Sequence, residues 1–199
     1  APFIGPYLRA WRGDGMKHEF GVVNAGSANP MDFLVPNLLH PLWGDSMRQV
    51  FPSQGRLWVE HSIYLGGVTL VLASVAVWKR RDRNVVWVYV VVGAMTALLA
   101  LGPILRWAGR DVTVAVPGSV RDWLLRWGLW SSVLRHFGTV GDRLVVPLPA
   151  QVLRKLMPGA ASIRVWARFG ILTTLSVAVL AGIGLDSLLS KIETRRSRR

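Results

Sequence analysis

Residues 85–105 read VVWVYVVVGAMTALLALGPIL and carry no charged side chain. That is about the length a helix needs to cross a hydrocarbon core of about 30 Å. Immediately before it stands Lys79-Arg80-Arg81-Asp82-Arg83, and before that turn lies a second apolar run from Ile63 to Trp78. The second run is short for a span, but His61, Ser62 and slight bilayer thinning make up the length. Two apolar runs joined by a short basic connection predict a transmembrane helical hairpin over 61–105. A third run, Phe169 to Leu189, is interrupted only by Asp186 and leads into a tail ending Arg195-Arg196-Ser197-Arg198-Arg199. The expected fold is therefore all-α: an integral membrane protein with three transmembrane helices near 62–78, 85–105 and 169–189.

Composition agrees with this reading. Hydrophobic residues make up 51% of the 199, and only 18% are charged, whereas a soluble domain carries about a quarter charged. The net charge of +13 suits nucleic acid, anionic lipid or a phosphate-bearing substrate. A nucleic-acid binder shows a polar domain with a basic face. Here the basic residues lie between apolar blocks, which favours membrane lipids and their phosphates and argues against nucleic acid. The chain has no cysteine, which excludes disulfides, thiolate metal sites and a cysteine nucleophile. It opens Ala1-Pro2 without a signal-like segment, so the expectation is a processed chain or part of a longer polypeptide.

The flanking segments differ from the apolar runs. Residues 1–60 are charge-balanced and punctuated by Asn29-Pro30, Val35-Pro36, His40-Pro41 and Phe51-Pro52. Those breakers predict a loop-rich segment without long helices. Residues 106–168 form a long basic loop. Within it Val120, Trp123, Leu124, Trp127, Trp130, Leu134 and Phe137 recur at helical spacing, with arginines between them. Ser119 and Asp122 stand as a capping pair for this helix. Pro147 to Met157 reads as a second, shorter amphipathic helix carrying Arg154 and Lys155. Both are expected to lie in the membrane interface, although apolar periodicity equally suits a buried helix of a small extramembrane domain.

Three spans put the two short basic segments, 79–83 and 191–199, on one side, which the positive-inside rule makes cytoplasmic. Residues 1–60 and 106–168 are then exterior, and 169–199 forms the last span with a basic cytoplasmic tail. Trp78 and Trp87 are expected at one interface, and Tyr64, Trp107 and Trp166 at the other.

Candidate chemistry concentrates in the exterior parts. Arginine forks suit phosphate oxygens, so Arg154, Lys155, Arg164 and Arg168 are the candidates for binding a lipid phosphate or headgroup. Arg164 and Arg168, four apart on the approach to the last span, are the sharpest pair; snorkelling to anionic headgroups is their plainer role. His40, Glu60 and His61 are candidate acid–base groups, none with a partner at motif spacing. No metal triad, P-loop or serine-triad signature appears, and no cofactor is expected. Ala178, Gly182 and Asp186 form a small-residue stripe that lets another helix approach closely, within the chain or outside it.

The order of segments resembles the C-terminal half of bacterial membrane proteins of the glycosyltransferase C superfamily, polytopic enzymes that use polyprenyl-phosphate sugars. The matching stretches are Asp32-Phe33-Leu34-Val35-Pro36 leading to His40-Pro41-Leu42-Trp43-Gly44, then Glu60 to Gly66, and the basic turn at 79–83. They continue through Leu101-Gly102-Pro103 and Pro147-Leu148-Pro149 to Ile163–Gly170, IRVWARFG. The resemblance implies a bacterial inner-membrane protein with an exterior-facing active site. It also implies that the catalytic acid lies in an exterior loop upstream of Ala1. Two functions follow. One is the C-terminal membrane portion of a lipid-linked-sugar glycosyltransferase-like protein, contributing contacts to a polyprenyl-phosphate-linked sugar. The other is a non-catalytic accessory subunit packing against other membrane subunits.

Overall fold

The structure is a computed structural model that describes residues 20–37, 40–50, 63–107, 110–126, 143–157 and 160–196. It is mostly helical, and one helix is long and apolar enough to cross a membrane. Three short helices come first: α1 (Phe20–Ala25), α2 (Pro30–Leu34) and α3 (Gly44–Val50). Their brevity follows from the proline spacing read in the sequence. The apolar helices are α4 (Gly67–Lys79), α5 (Asn84–Ala100) and α8 (Gly170–Arg196). Between α5 and α8 lie β1 (Arg106–Trp107), β2 (Arg110–Asp111), β3 (Thr113–Ala115), α6 (Gly118–Arg126), β4 (Arg143–Val145) and α7 (Pro149–Leu156). Two 3-10 turns, Ala160–Ser162 and Trp166–Phe169, lead into α8.

Both helices of the expected hairpin are shorter than the apolar runs that predicted them. Residues 63–66 are not helical, because the Leu65 N–H donates to the Phe33 carbonyl and Gly66 turns through φ +78°. α5 stops at Ala100, where Gly102 adopts φ +75° and Pro103 follows, a common helix stop. At 13 and 17 residues, α4 and α5 fall below the usual spanning length. The 26-residue stretch Trp166–Lys191 reaches it.

The three apolar helices form one unit with α8 as the shared partner. α8 packs lengthwise against both α4 and α5, which touch each other only slightly. Small residues make the approach possible. A Cβ at Gly184 would overlap the Leu72 carbonyl oxygen of α4, and one at Gly93 would sit 3.2 Å from Ser176 Cβ. The hydroxyls of Thr96 and Thr173 lie 2.9 Å apart across the α5–α8 contact, both buried. Ala73, Val86 and Leu180 form the apolar contact nearer the basic turn.

One end of this unit is basic. The Arg80 Nε donates to Ser187 Oγ at 2.8 Å, and its guanidinium lies 3.6 Å from Asp186. These contacts bring the turn 80–83 level with the C-terminal third of α8. From Gly170 to Asp186 the helix rises about 24 Å, at about 1.5 Å per residue.

The other end is a collar of loops and short elements. The Ala28 N–H donates to the Ala100 carbonyl, an orphan acceptor at the end of α5, and the Ala167 N–H donates to the Gly26 carbonyl. Gly26 is needed where it stands, since a Cβ there would lie 2.6 Å from the Arg164 carbonyl oxygen. Ala28, Phe33, Ile63, Ala100 and Ala167 form the buried core of this junction. The segment 26–33 thereby ties the start of α4, the end of α5 and the approach to α8 together.

The strands were absent from the helical reading. β1 pairs with β2 and β3 with β4, both antiparallel, with Thr113 opposite Val145 and Ala115 opposite Arg143. Val112, Val114 and Val116 alternate with smaller residues, and Leu144-Val145-Val146 answers them, so β-branched side chains explain the pairing. α6 begins at Gly118, which puts Ser119 inside the first turn rather than at its cap. The expected helix Val120–Phe137 is seen as far as Arg126, and residues 127–142 lie outside the described ones.

Candidate functional site

The collar brings together polar side chains that are far apart in sequence. Its centre is Trp166, 1% exposed, packed with Val23 of α1 and Ala150 of α7. Leu99, Leu153, Ile163 and Phe169 close around this cluster, the Phe169 ring centroid lying 5.6 Å from that of Trp166. Trp166 was expected at the lipid interface. It is instead a core residue, because the 3-10 turn it opens faces α1 and α7. Trp78, 83% exposed, and Trp87 do flank the basic turn, with the Trp87 indole donating to the Arg81 carbonyl at 2.8 Å. Tyr64 and Trp107 are exposed.

Polar groups lie on the elements that carry this cluster and beside them. On α1, Asn24 follows Val23; its carbonyl accepts from Arg106 Nη1 at 3.2 Å, and its amide lies 3.5 Å from Asp111 Oδ1. Arg106 Nε sits 3.2 Å from the same carboxylate, an ion pair across the β1–β2 register. On α7, Gln151 and Arg154 flank the turn of helix that presents Ala150 to Trp166. Burial lowers the Arg154 guanidinium from its ordinary range, yet an arginine stays charged at neutral pH. The Trp166 indole N–H, the Asn24 side-chain oxygen and the Gln151 side-chain oxygen are buried without a hydrogen-bond partner among the described residues. Each such group costs about 1–3 kcal/mol relative to a satisfied one.

The phosphate-binding candidates separate in the structure. Arg154 is half-buried beside this cluster, whereas Arg164 and Arg168 are exposed. Arg164 lies in the extended stretch before the 3-10 turn that carries Arg168, so the two do not share a helical face. Lys155 belongs to α7, and its side chain lies outside the described residues. Sequence reasoning passed over Asn24, Arg106, Asp111, Gln151 and the inward role of Trp166. Only the pairing of β1 with β2 joins Arg106 to Asp111, and no sequence motif marks it.

His40 is half-buried before α3, and its Nδ1 accepts from the Leu42 N–H at 3.3 Å, a local turn contact. Glu60 and His61 lie outside the described residues. Ala178 and Gly182 are exposed, and nothing lies within 4 Å of a Cβ placed at Gly182. Asp186, with its side chain 73% exposed, meets Arg80. The close approach of helices within the chain runs instead through Thr173, Ser176, Leu180 and Gly184, which are all buried. Among the described residues no three His, Asp or Glu side chains converge as a metal site would require. Set against protein families, curated proteins and solved structures, the chain matches none of them.

Proposed function

We propose that this chain is a three-span membrane unit whose collar sits at the headgroup layer of the exterior face and engages lipid phosphate. The observation that carries the reading is the inverted polarity of the helix bundle. Many of its helix contacts are small or hydroxylated, Ala73, Ala76, Gly93, Thr96, Thr173, Ser176, Gly184 and Ser187, beside the apolar Val86 and Leu180. Its outward side chains are large and apolar, among them Val68, Val91, Met95, Ile171, Leu175 and Leu189. Water punishes that arrangement, while lipid favours it. A core helix of a soluble protein is mostly buried, but only 33% of the apolar window in Trp166–Lys191 is buried within the protein. Thinning of the bilayer and the flanking residues 63–66 and 101–105 compensate for the shortness of α4 and α5.

The basic end, with Lys79, Arg80, Arg81, Arg83 and Lys191, belongs on the cytoplasmic side by the positive-inside rule. α6 and α7 then lie along the opposite interface, where the exposed Val120 and Trp123 of α6 and Val152 and Leu156 of α7 meet the lipid boundary. The resemblance to glycosyltransferase C proteins supports a place in the C-terminal part of a lipid-linked-sugar transferase of a bacterial inner membrane. The arginines of the collar would then meet the donor phosphate. The open stripe at Ala178 and Gly182 favours a second reading, an accessory subunit that offers this face to another membrane helix.

Nitroxide labels at Val68, Val91, Leu175 and Leu189, placed one at a time in reconstituted protein, test the seating. Relaxation should be enhanced by oxygen and not by a water-soluble nickel chelate at all four sites. The reverse pattern at Val91 and Leu175 would refute a lipid-facing surface.

A further inference from the structure

We infer that the basic turn between α4 and α5 is a docking surface for anionic phospholipid of the cytoplasmic leaflet, with Arg81 and Arg83 as its principal contacts. The inference rests on the membrane seating proposed above, and it assigns a lipid class to a face which that reading leaves without a partner. The turn carries Lys79, Arg80, Arg81 and Arg83 within five residues, against Asp82 alone. Arg80 is engaged inside the protein, its Nε donating to Ser187 Oγ at 2.8 Å and its guanidinium meeting Asp186 at 3.6 Å. Lys79, Arg81 and Arg83 are exposed, and among the described residues no ion pair engages their side chains. The contact of Arg80 with Ser187 also fastens the turn to α8. Lys191, exposed and four residues beyond Ser187, extends from nearly the same face of α8, about 6 Å farther along the axis.

The surroundings of the turn favour lipid as the partner. Val71 and Trp78, seven residues apart and both exposed, lie on one face of α4. An apolar path for an acyl chain therefore leads directly to the cations. Trp87, also exposed, donates its indole N–H to the Arg81 carbonyl at 2.8 Å. Tryptophans on both helices beside the turn put it at headgroup depth. There Arg81 and Arg83 reach the phosphate layer while their stems stay along apolar surface. Their charge complements a phosphodiester lipid of net negative charge, whereas a zwitterionic headgroup cancels most of the attraction. An acidic protein segment carries the same sign of charge but brings no acyl chain to cover the apolar face.

Tryptophan fluorescence tests the docking, with the full chain in phosphatidylcholine vesicles. The probes are phosphatidylglycerol and phosphatidylcholine with brominated acyl chains, added separately in increasing proportion. The difference in quenching between the unchanged protein and Trp78→Phe isolates Trp78 among the ten tryptophans. The expected result is tighter association of brominated phosphatidylglycerol at Trp78. Arg81→Gln should weaken that preference about fivefold, and adding Arg83→Gln should weaken it further. Both side chains are exposed, so these changes leave the packing intact. Arg81→Lys with Arg83→Lys keeps the charge and should keep the preference; its loss there overturns a surface based on charge. Equal quenching by the two lipids, or an unchanged preference in the double Gln variant, overturns the docking surface and leaves the seating standing. Quenching by neither lipid overturns both. Displacement of the brominated phosphatidylglycerol by a soluble polyglutamate peptide assigns the turn to an acidic protein partner and overturns the lipid reading.

Discussion

Replacing Gly184 by Ala should lower the unfolding free energy of the detergent-solubilised protein by about 1–3 kcal/mol, the usual cost of overpacking a close contact. The cause is specific. A Cβ at Gly184 would overlap the Leu72 carbonyl oxygen and crowd the Ala76 backbone nitrogen. Both belong to the backbone of α4, so no rotamer change relieves the clash and α4 must move away from α8. Gly182→Ala, two residues earlier, meets nothing within 4 Å and should be neutral or stabilising by up to about 1 kcal/mol through helix propensity. Titration with a denaturing detergent reads both variants. Equal stability of Gly184→Ala and the unchanged protein would mean that α4 does not pack here.

Gly102→Ala should cost more, about 2–4 kcal/mol, because two effects add. At φ +75° a residue with a Cβ pays about 1–2 kcal/mol for the left-handed conformation. The same Cβ would overlap the Ser27 hydroxyl, which is buried and donates to the Val23 carbonyl at 2.9 Å. Moving Ser27 disturbs the neighbouring Ala28–Ala100 hydrogen bond that ends α5. The double variant Ser27→Gly, Gly102→Ala separates the contributions. It should recover the steric part and retain the backbone part. If the double variant is no more stable than Gly102→Ala with the Ser27→Gly cost added, steric overlap is not the cause. Gly66→Ala supplies a reference, since its φ is also positive but Thr69 Oγ1 is 3.2 Å away.

The long apolar helix was legible because no charge interrupts Phe169 to Leu185, and periodicity is the strongest signal a sequence carries. The ends were less so. Gly66 and Gly102-Pro103 carry the stops of α4 and α5, but hydropathy alone runs through them. α7 was visible in the spacing of its apolar residues, whereas β1 to β4 are too short to declare themselves. The collar was scarcely legible. Arg154 stood out as one basic residue among many, and Trp166 looked like any interfacial tryptophan. What buries Trp166 is its packing against Val23 of α1 and Ala150 of α7, a tertiary event with no local pattern. The stripe at Ala178 and Gly182 illustrates the same point. Its spacing resembles that of Leu180 and Gly184, and only packing decides which stripe faces α4.

The chain has no cysteine, so single introduced cysteines test the three-span account directly. Asp82→Cys in the basic turn, Ser190→Cys on α8, Thr113→Cys on β3 and Val91→Cys within α5 are labelled in sealed vesicles with a membrane-impermeant maleimide. The account predicts that residues 82 and 190 label together in inverted vesicles and residue 113 in right-side-out ones. Residue 91 should label in neither. Labelling of 82 and 113 from the same side, or rapid aqueous labelling of residue 91, would contradict it.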